Sequence, residues 1–201
     1  MTCIVGIEGK SIGISHNIIM GDSIGVDNWS SSTILSTPKV FEVNGIKVGF
    51  TTSYRMAQIL QYHVLPKINI NFSGLSLFEA HEKVVVDVIE PIRNTLKDLG
   101  FSKVELNEES GGEFLLGVGD YIFEVSDSYQ VDHHSRGFSA VGIGYLYALA
   151  TIETLKLVAE KKDVRFNILE AAEMAIQVAS NLNTGVCMPV TYKMWEVKHG
   201  K

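Results

Sequence analysis

Strand-like and helix-like stretches follow one another in blocks along this 201-residue chain, and that order restricts the fold more than any single motif does. Cys3 to Ile7 is short, apolar and β-branched. A turn at Glu8-Gly9-Lys10-Ser11 leads into a second strand-like run through Ile12, Ile14 and His16 to Ile18-Ile19-Met20, ending at Gly21-Asp22-Ser23. The two runs read as a hairpin with a polar tip. Residues 24–37, rich in Ser, Thr, Asp and Gly, read as a loop. Val40–Val43 and Ile46–Thr52 flank Asn44-Gly45, a dipeptide that tolerates the two positive φ angles of a tight hairpin. Four strands therefore precede any helix.

The period then changes. Met56, Ile59, Leu60 and Val64 share one face of a helix over Tyr54–Leu65, which Pro66 stops. Residues 69–78 read as a loop. A second helix is expected from about His81, with Val85, Val88, Ile89, Ile92, Leu96 and Leu99 at spacings of three and four, a kink or break at Pro91, and Gly100 as its cap. Strands return at Gly112–Val118 and Tyr121–Val125 around Gly119-Asp120, and again at Phe138–Val141. Two more helices, Tyr145–Ala159 and Ile168–Leu182, precede a closing strand over Val186–Val197. The acidic run from Glu105 to Glu113 reads as a solvated loop.

A Rossmann-like chain alternates its strands and helices singly. Blocks instead predict an α+β fold, a four-layer αββα sandwich with two antiparallel sheets between helix pairs. A chain of this length suits a single domain over 1–201.

Composition narrows the function. Hydrophobic residues at 46% with charged residues at 20% fit an ordinary globular protein. The net charge of -6 disfavours nucleic acid as a partner, since phosphate contacts need a basic surface. Lys161-Lys162, beside Asp163 and Arg165, read as a solvated helix end. No apolar stretch approaches the ~18 residues of a membrane span. Met1 to Glu8 lacks the basic start and cleavage motif of a secretory signal. Cys3 and Cys187 have no metal-ligand spacing and read as two free, buried thiols in a reducing compartment, so a cytoplasmic location is expected. His133-His134 read as loop residues without a zinc pattern. Gly142-x-Gly144 lacks the context of a dinucleotide loop, and no Gly-x-Ser-x-Gly elbow occurs. The Tyr and Met residues at 145, 147, 174 and 188 read as packing rather than a cofactor box.

Thr2 carries the chemistry that remains. Removal of Met1 would give it a free N-terminus, combining a hydroxyl that can attack with an α-amine that can accept the proton. The α-amine has a reference pKa near ~8, so a useful neutral fraction exists at neutral pH. Taken in isolation, Thr2 reads first as the start of a strand, Lys39 as a surface residue beside Pro38, and Asp22 as a hairpin-end cap. Alternation along the first strand sends Cys3 to the face opposite Thr2.

The ordered set Thr2-Cys3-Ile4-Val5, Gly21-Asp22-Ser23, Pro38-Lys39-Val40, Gly49-Phe50-Thr51-Thr52 and Gly142-Ile143-Gly144-Tyr145 resembles the proteasome-like, HslV-type branch of the threonine-type N-terminal-nucleophile (Ntn) hydrolases. The resemblance spans nearly the whole chain. It implies that Thr2 is the nucleophile, that Lys39 is the active-site lysine, and that Asp22 is the acid orienting the amines. It places the oxyanion donor at the backbone of Thr51-Thr52, where the family often has glycine. Two departures stand out. The family's Gly-Ser-Gly is Gly142-Ile143-Gly144 here, so a hydrogen-bonding serine is replaced. The family's Asp and later Ser match Asn181 and Thr184.

The resemblance implies a peptide or amide substrate, no metal or organic cofactor, a homo-oligomer such as a ring, and a separate ATP-driven unfoldase as partner. A threonine-type peptidase or amidase is thus one reading. The alternative, favoured by Ile143 and Asn181, is a catalytically silent Ntn-fold assembly or structural subunit.

Overall fold

A computed structural model describes residues 2–26, 32–34 and 36–197. Strand β1, Ile4–Ile7, pairs antiparallel with β2, His16–Asp22. The expected strand from Ile12 is corrected: Gly9–Ile12 form a 3-10 turn closed by Gly13 in the left-handed region, and the strand resumes at His16. The Asn17 side chain accepts from Gly9 N–H at 2.9 Å, and Ile14 N–H donates to Gly9 carbonyl at 2.8 Å, so the link folds on itself. The segment read as a loop also carries order. Ile24–Val26 (β3) pairs with Ser32–Ile34 (β4).

Strands β5 (Val40–Val43) and β6 (Ile46–Phe50) meet at Asn44 and Gly45, both at positive φ, as the Asn-Gly dipeptide predicts. Helix α1, Tyr54–Ile59, is capped by Ser53 and widens into a π-helical stretch over Leu60–Val64 before Pro66. The second helix starts earlier than expected, at Leu77 (α2, Leu77–Lys83), because Ser76 and Glu79 form a reciprocal capping box. Pro91 does not break it. The chain widens to a π-helical stretch over Val84–Ile89, and Pro91 falls in the first turn of α3, Glu90–Asp98, where its missing N–H costs least. Gly100, at φ 69°, ends it.

The acidic run is corrected as well. Lys103–Glu105 (β7) and Glu108–Ser110 (β8) form a small hairpin over Leu106 and Asn107, both at positive φ. Strands β9 (Phe114–Val118), β10 (Tyr121–Val125), β11 (Val131–Asp132) and β12 (Phe138–Val141) follow. Helices α4 (Tyr145–Lys162) and α5 (Ile168–Leu182) and strand β13 (Val190–Glu196) complete the described chain.

One sheet has the order β12-β1-β2-β13 and the other β11-β10-β9-β6-β5. All their pairings are antiparallel. The core divides into three layers, which is the expected αββα arrangement. Phe41, Phe50, Ile59, Val88, Ile92 and Phe123 join the second sheet to α1–α3. Val5, Ile7, Ile18, Met20, Ile152 and Ile176 join the first sheet to α4 and α5. Ile4, Ile19, Val40, Leu115, Ile122 and Val141 fill the space between the sheets, with Trp195 packed against them.

The alternation of β1 is therefore literal: Ile4 faces the other sheet, while Cys3, Val5 and Ile7 face the helices. The sheets come very close at Gly49. A Cβ there would lie 2.5 Å from Ile4 Cγ2 and 2.6 Å from Ile19 Cγ2, so only glycine admits the approach. No helix among the described residues is long and apolar enough to cross a membrane.

Candidate active site

The approach of the two sheets brings the start of β1, the end of β2 and the residue before β5 to one buried point. Lys39, among the largest fully buried side chains, is 1% exposed; Asp22 is 0% and Thr2 4% exposed. Lys39 Nζ donates to Thr2 Oγ1 at 2.6 Å and to the two Asp22 carboxylate oxygens at 3.1 and 3.2 Å. Asp22 Oδ1 also accepts from Cys3 N–H at 2.9 Å, and Asp22 N–H donates to Cys3 carbonyl at 3.2 Å, which continues the β1–β2 ladder up to Thr2. A buried charge is tolerated only with partners of this kind. Burial pulls the Lys39 ammonium below the ordinary lysine range, and the charge and hydrogen bond of Asp22 oppose that shift.

Cys3 takes the face away from Thr2, as alternation predicts, and is fully buried. Burial, then the charge of Asp22, push its thiol up to about 12. Cys187 is half-buried rather than buried. Alkylation of the native protein at mildly alkaline pH, read by peptide mass mapping, is expected to modify Cys187 and spare Cys3 until the chain is unfolded, since the thiolate is the reactive form. Equal native labelling of both would contradict the buried position of Cys3.

Thr51 and Thr52 form the turn after β6. Thr51 N–H donates to the Glu113 carbonyl at 3.1 Å and is already used. Thr52 N–H has no intramolecular acceptor among the described residues. Thr52 Oγ1 accepts from Glu113 N–H at 3.2 Å, which holds the residue at φ 67°. That angle is costly for a β-branched side chain and persists only where neighbours impose it. Of the two backbone positions, Thr52 is the one left to donate to a bound oxygen.

Gly142 stands at φ 91°, and a Cβ on it would press on the Thr2 carbonyl and come within 3.1 Å of Thr51 Oγ1. Gly144 N–H donates to the Thr2 carbonyl at 3.3 Å. Beside this cluster opens a cavity of about 610 Å³, lined in part by Thr51, Thr52, Glu113, Glu124, Ile143 and Tyr145. Ile143, which stands where the sequence resemblance implies a serine, is 49% exposed there.

The sequence-predicted residues separate into two groups. Thr2, Asp22 and Lys39 meet, with Thr51 and Thr52 at the neighbouring cavity. Asn181 and Thr184 are exposed at and just beyond the end of α5, outside this buried cluster, and Asn181 Oδ1 accepts from Gln177 Nε2 at 3.0 Å. Met1, whose removal the chemistry of Thr2 requires, lies outside the described residues. Glu113 was absorbed into the acidic run in the sequence, yet it is half-buried at the cavity. The two histidines find carboxylates: His133 bonds Glu8 at 3.0 Å and His134 bonds Glu124 at 2.9 Å. No cluster of metal-ligating side chains occurs among the described residues.

No protein-family profile and no curated protein sequence matches this chain. Solved structures do match. A Thiobacillus denitrificans structure described as BPH in complex with epoxomicin superposes with a TM-score of 0.78 at 17% identity, over 98% of this chain and 100% of the other. The same BPH without that description gives a TM-score of 0.78 at 17% identity. Eukaryotic HslV from Trypanosoma brucei gives 0.69 at 16% identity, over 97% and 99% of the two chains.

This chain has the HslV-type, proteasome-like Ntn-hydrolase fold. Coverage from end to end means that the Ntn-hydrolase fold accounts for both sheets and both helix layers. The buried Thr2–Lys39–Asp22 cluster sits just before β1, at the end of β2 and just before β5.

Proposed function

We propose that this chain is a threonine-type amide or peptide hydrolase whose nucleophile is Thr2 after removal of Met1. The observation that carries the reading is the 2.6 Å hydrogen bond from Lys39 Nζ to Thr2 Oγ1, inside a buried ion pair with Asp22. A buried ammonium next to a hydroxyl has little value for stability alone. It has a large value when that hydroxyl becomes an alkoxide.

In this reading the Thr2 α-amine accepts the hydroxyl proton as Oγ1 attacks the scissile carbonyl. Lys39 stabilises the charge on Oγ1, and Thr52 N–H donates to the oxyanion. Collapse of the tetrahedral adduct expels the amine product, which takes the proton back from the α-amine, and leaves an ester on Thr2. Water, deprotonated by the same α-amine, then releases the acid product. Asp22 holds Lys39 in place and offsets its desolvation. No cofactor enters these steps. The exposed apolar side chains Leu146, Leu157 and Val158 on α4, and Met174 and Leu182 on α5, support self-association, such as a ring, and a separate ATP-driven unfoldase would feed such an assembly.

The test is intact mass of protein made without an N-terminal tag in cells with methionine aminopeptidase, before and after incubation with a β-lactone or epoxomicin. The expected result is loss of Met1 and one covalent adduct, absent in Thr2→Ala. Retained Met1, or a free Thr2 that neither reagent labels, would favour the second reading, a silent assembly subunit. The observation behind that second reading is Ile143, whose side chain has no hydrogen-bonding group at the cavity it lines with Thr51 and Thr52.

A further inference from the structure

We infer that the cavity beside Thr2 selects a basic side chain, lysine or arginine, adjoining the amide bond presented to the nucleophile. The inference deepens the hydrolase reading and rests on it for the word nucleophile; the charge preference of the cavity is a separate claim with its own test.

Two carboxylates, Glu113 and Glu124, line the cavity, and among the described residues no lysine or arginine lines it. Glu113 is fixed by the same contacts that build the Thr51-Thr52 turn, since its carbonyl takes Thr51 N–H and its own N–H binds Thr52 Oγ1. Its main chain is therefore anchored at the turn that would hold the scissile carbonyl, and its side chain lines the cavity there. Among the described residues that carboxylate makes no hydrogen bond or ion pair, and the neighbouring charges acting on it, from Asp127 and Glu124, are both negative. Burial first, then these two carboxylates, raise Glu113 above the usual glutamate range, and a cation placed beside it would favour its ionised form. Among the described residues the Glu124 carboxylate has the half-exposed His134 as its side-chain partner.

The rest of the lining fits the body of such a side chain. Ile143 and Tyr145 are 49% and 44% exposed and present apolar surface, along which the methylene stem of lysine or arginine can lie while its charged head reaches Glu113. At about 610 Å³ the cavity is within the usual range for a ligand site. An acidic side chain would meet uncompensated like charge, and a neutral one would leave Glu113 as it is.

The test uses the full-length Thr2→Ala protein, which cannot turn substrate over. Three fluorescein-labelled leucine-rich pentapeptides carry lysine, norleucine or glutamate at the central position, and their binding is read by fluorescence anisotropy at physiological salt. Lysine is expected to bind about tenfold tighter than norleucine, with glutamate weakest. Glu113→Asp keeps this order, and Glu113→Lys inverts it in favour of glutamate, an outcome that misfolding cannot produce. Equal affinities for lysine and norleucine, an order that survives Glu113→Lys, or binding of none of the three overturns the inference. Selective binding with a Thr2 that no electrophile labels would sink the hydrolase reading alone. A labelled Thr2 with no charge preference would sink the pocket alone.

Discussion

Replacing Lys39 with methionine is expected to slow acylation of Thr2 by about 10²–10³-fold and to destabilise the fold by about 3–5 kcal/mol. Both effects come from one atom. Lys39 Nζ is the donor to Thr2 Oγ1 and the counter-ion of Asp22, and all three side chains are buried. Without the ammonium, the alkoxide forms with no positive charge beside it, and the Asp22 carboxylate is left in the interior with Cys3 N–H as a remaining donor. The double variant Lys39→Met, Asp22→Asn separates the two losses. It should recover most of the stability in urea unfolding and none of the rate of β-lactone labelling. If the double variant labels as fast as wild type, Lys39 has no part in the chemistry.

The lowered Lys39 pKa adds a signed pH effect. Well below the folded-state value, both folded and unfolded chains hold the proton. Between that value and the ordinary lysine range the unfolded chain holds more protons, so this site makes stability rise with pH over that window. The contribution disappears in the Lys39→Met, Asp22→Asn background, which a comparison of unfolding curves across alkaline pH would detect.

Gly142→Ala is expected to cost about 10²-fold in labelling rate, with about 1–3 kcal/mol of stability. The added methyl meets the Thr2 carbonyl and the Thr51 hydroxyl in a backbone already at φ 91°. The tighter neighbour is main chain, and the other is the short, β-branched side chain of Thr51. The Thr2 main chain must therefore shift, and a displaced Oγ1 loses its alignment with Lys39. Gly45→Ala is the matched control, since that glycine also has positive φ but meets nothing within 4 Å. A control that slows labelling as much as Gly142→Ala would show that backbone strain, rather than contact with Thr2, is responsible.

Local patterns determined the outline of this protein. Each sheet edge and helix face repeats a period that the chain carries in its own order: the Asn44-Gly45 turn, the Gly119-Asp120 turn, the stripes over Ile168–Leu182. The block order then left few ways to bury those faces. Boundaries failed where a single side chain decides them, as Ser76 does for α2 and Asn17 for the link after β1. Pro91 misled because a helix can widen before a proline instead of breaking.

For the site, the sequence by itself supplied the residue types, Thr2, Asp22 and Lys39, but also allowed Thr2 as a strand start, Lys39 as a surface residue and Asp22 as a hairpin-end cap. Only the tertiary structure decided between these, because sheet packing at Gly49 carries residues 2, 22 and 39 to one desolvated point. Burial turns an ordinary lysine into a held charge on a hydroxyl, and burial is a property of the packed fold. The same holds for Glu113. In the chain it is the last member of an acidic run, and in the fold its main chain pairs with Thr51 and Thr52 and its side chain lines the cavity beside them. Charge is written in the sequence, whereas the surface it faces is set by which strands lie side by side.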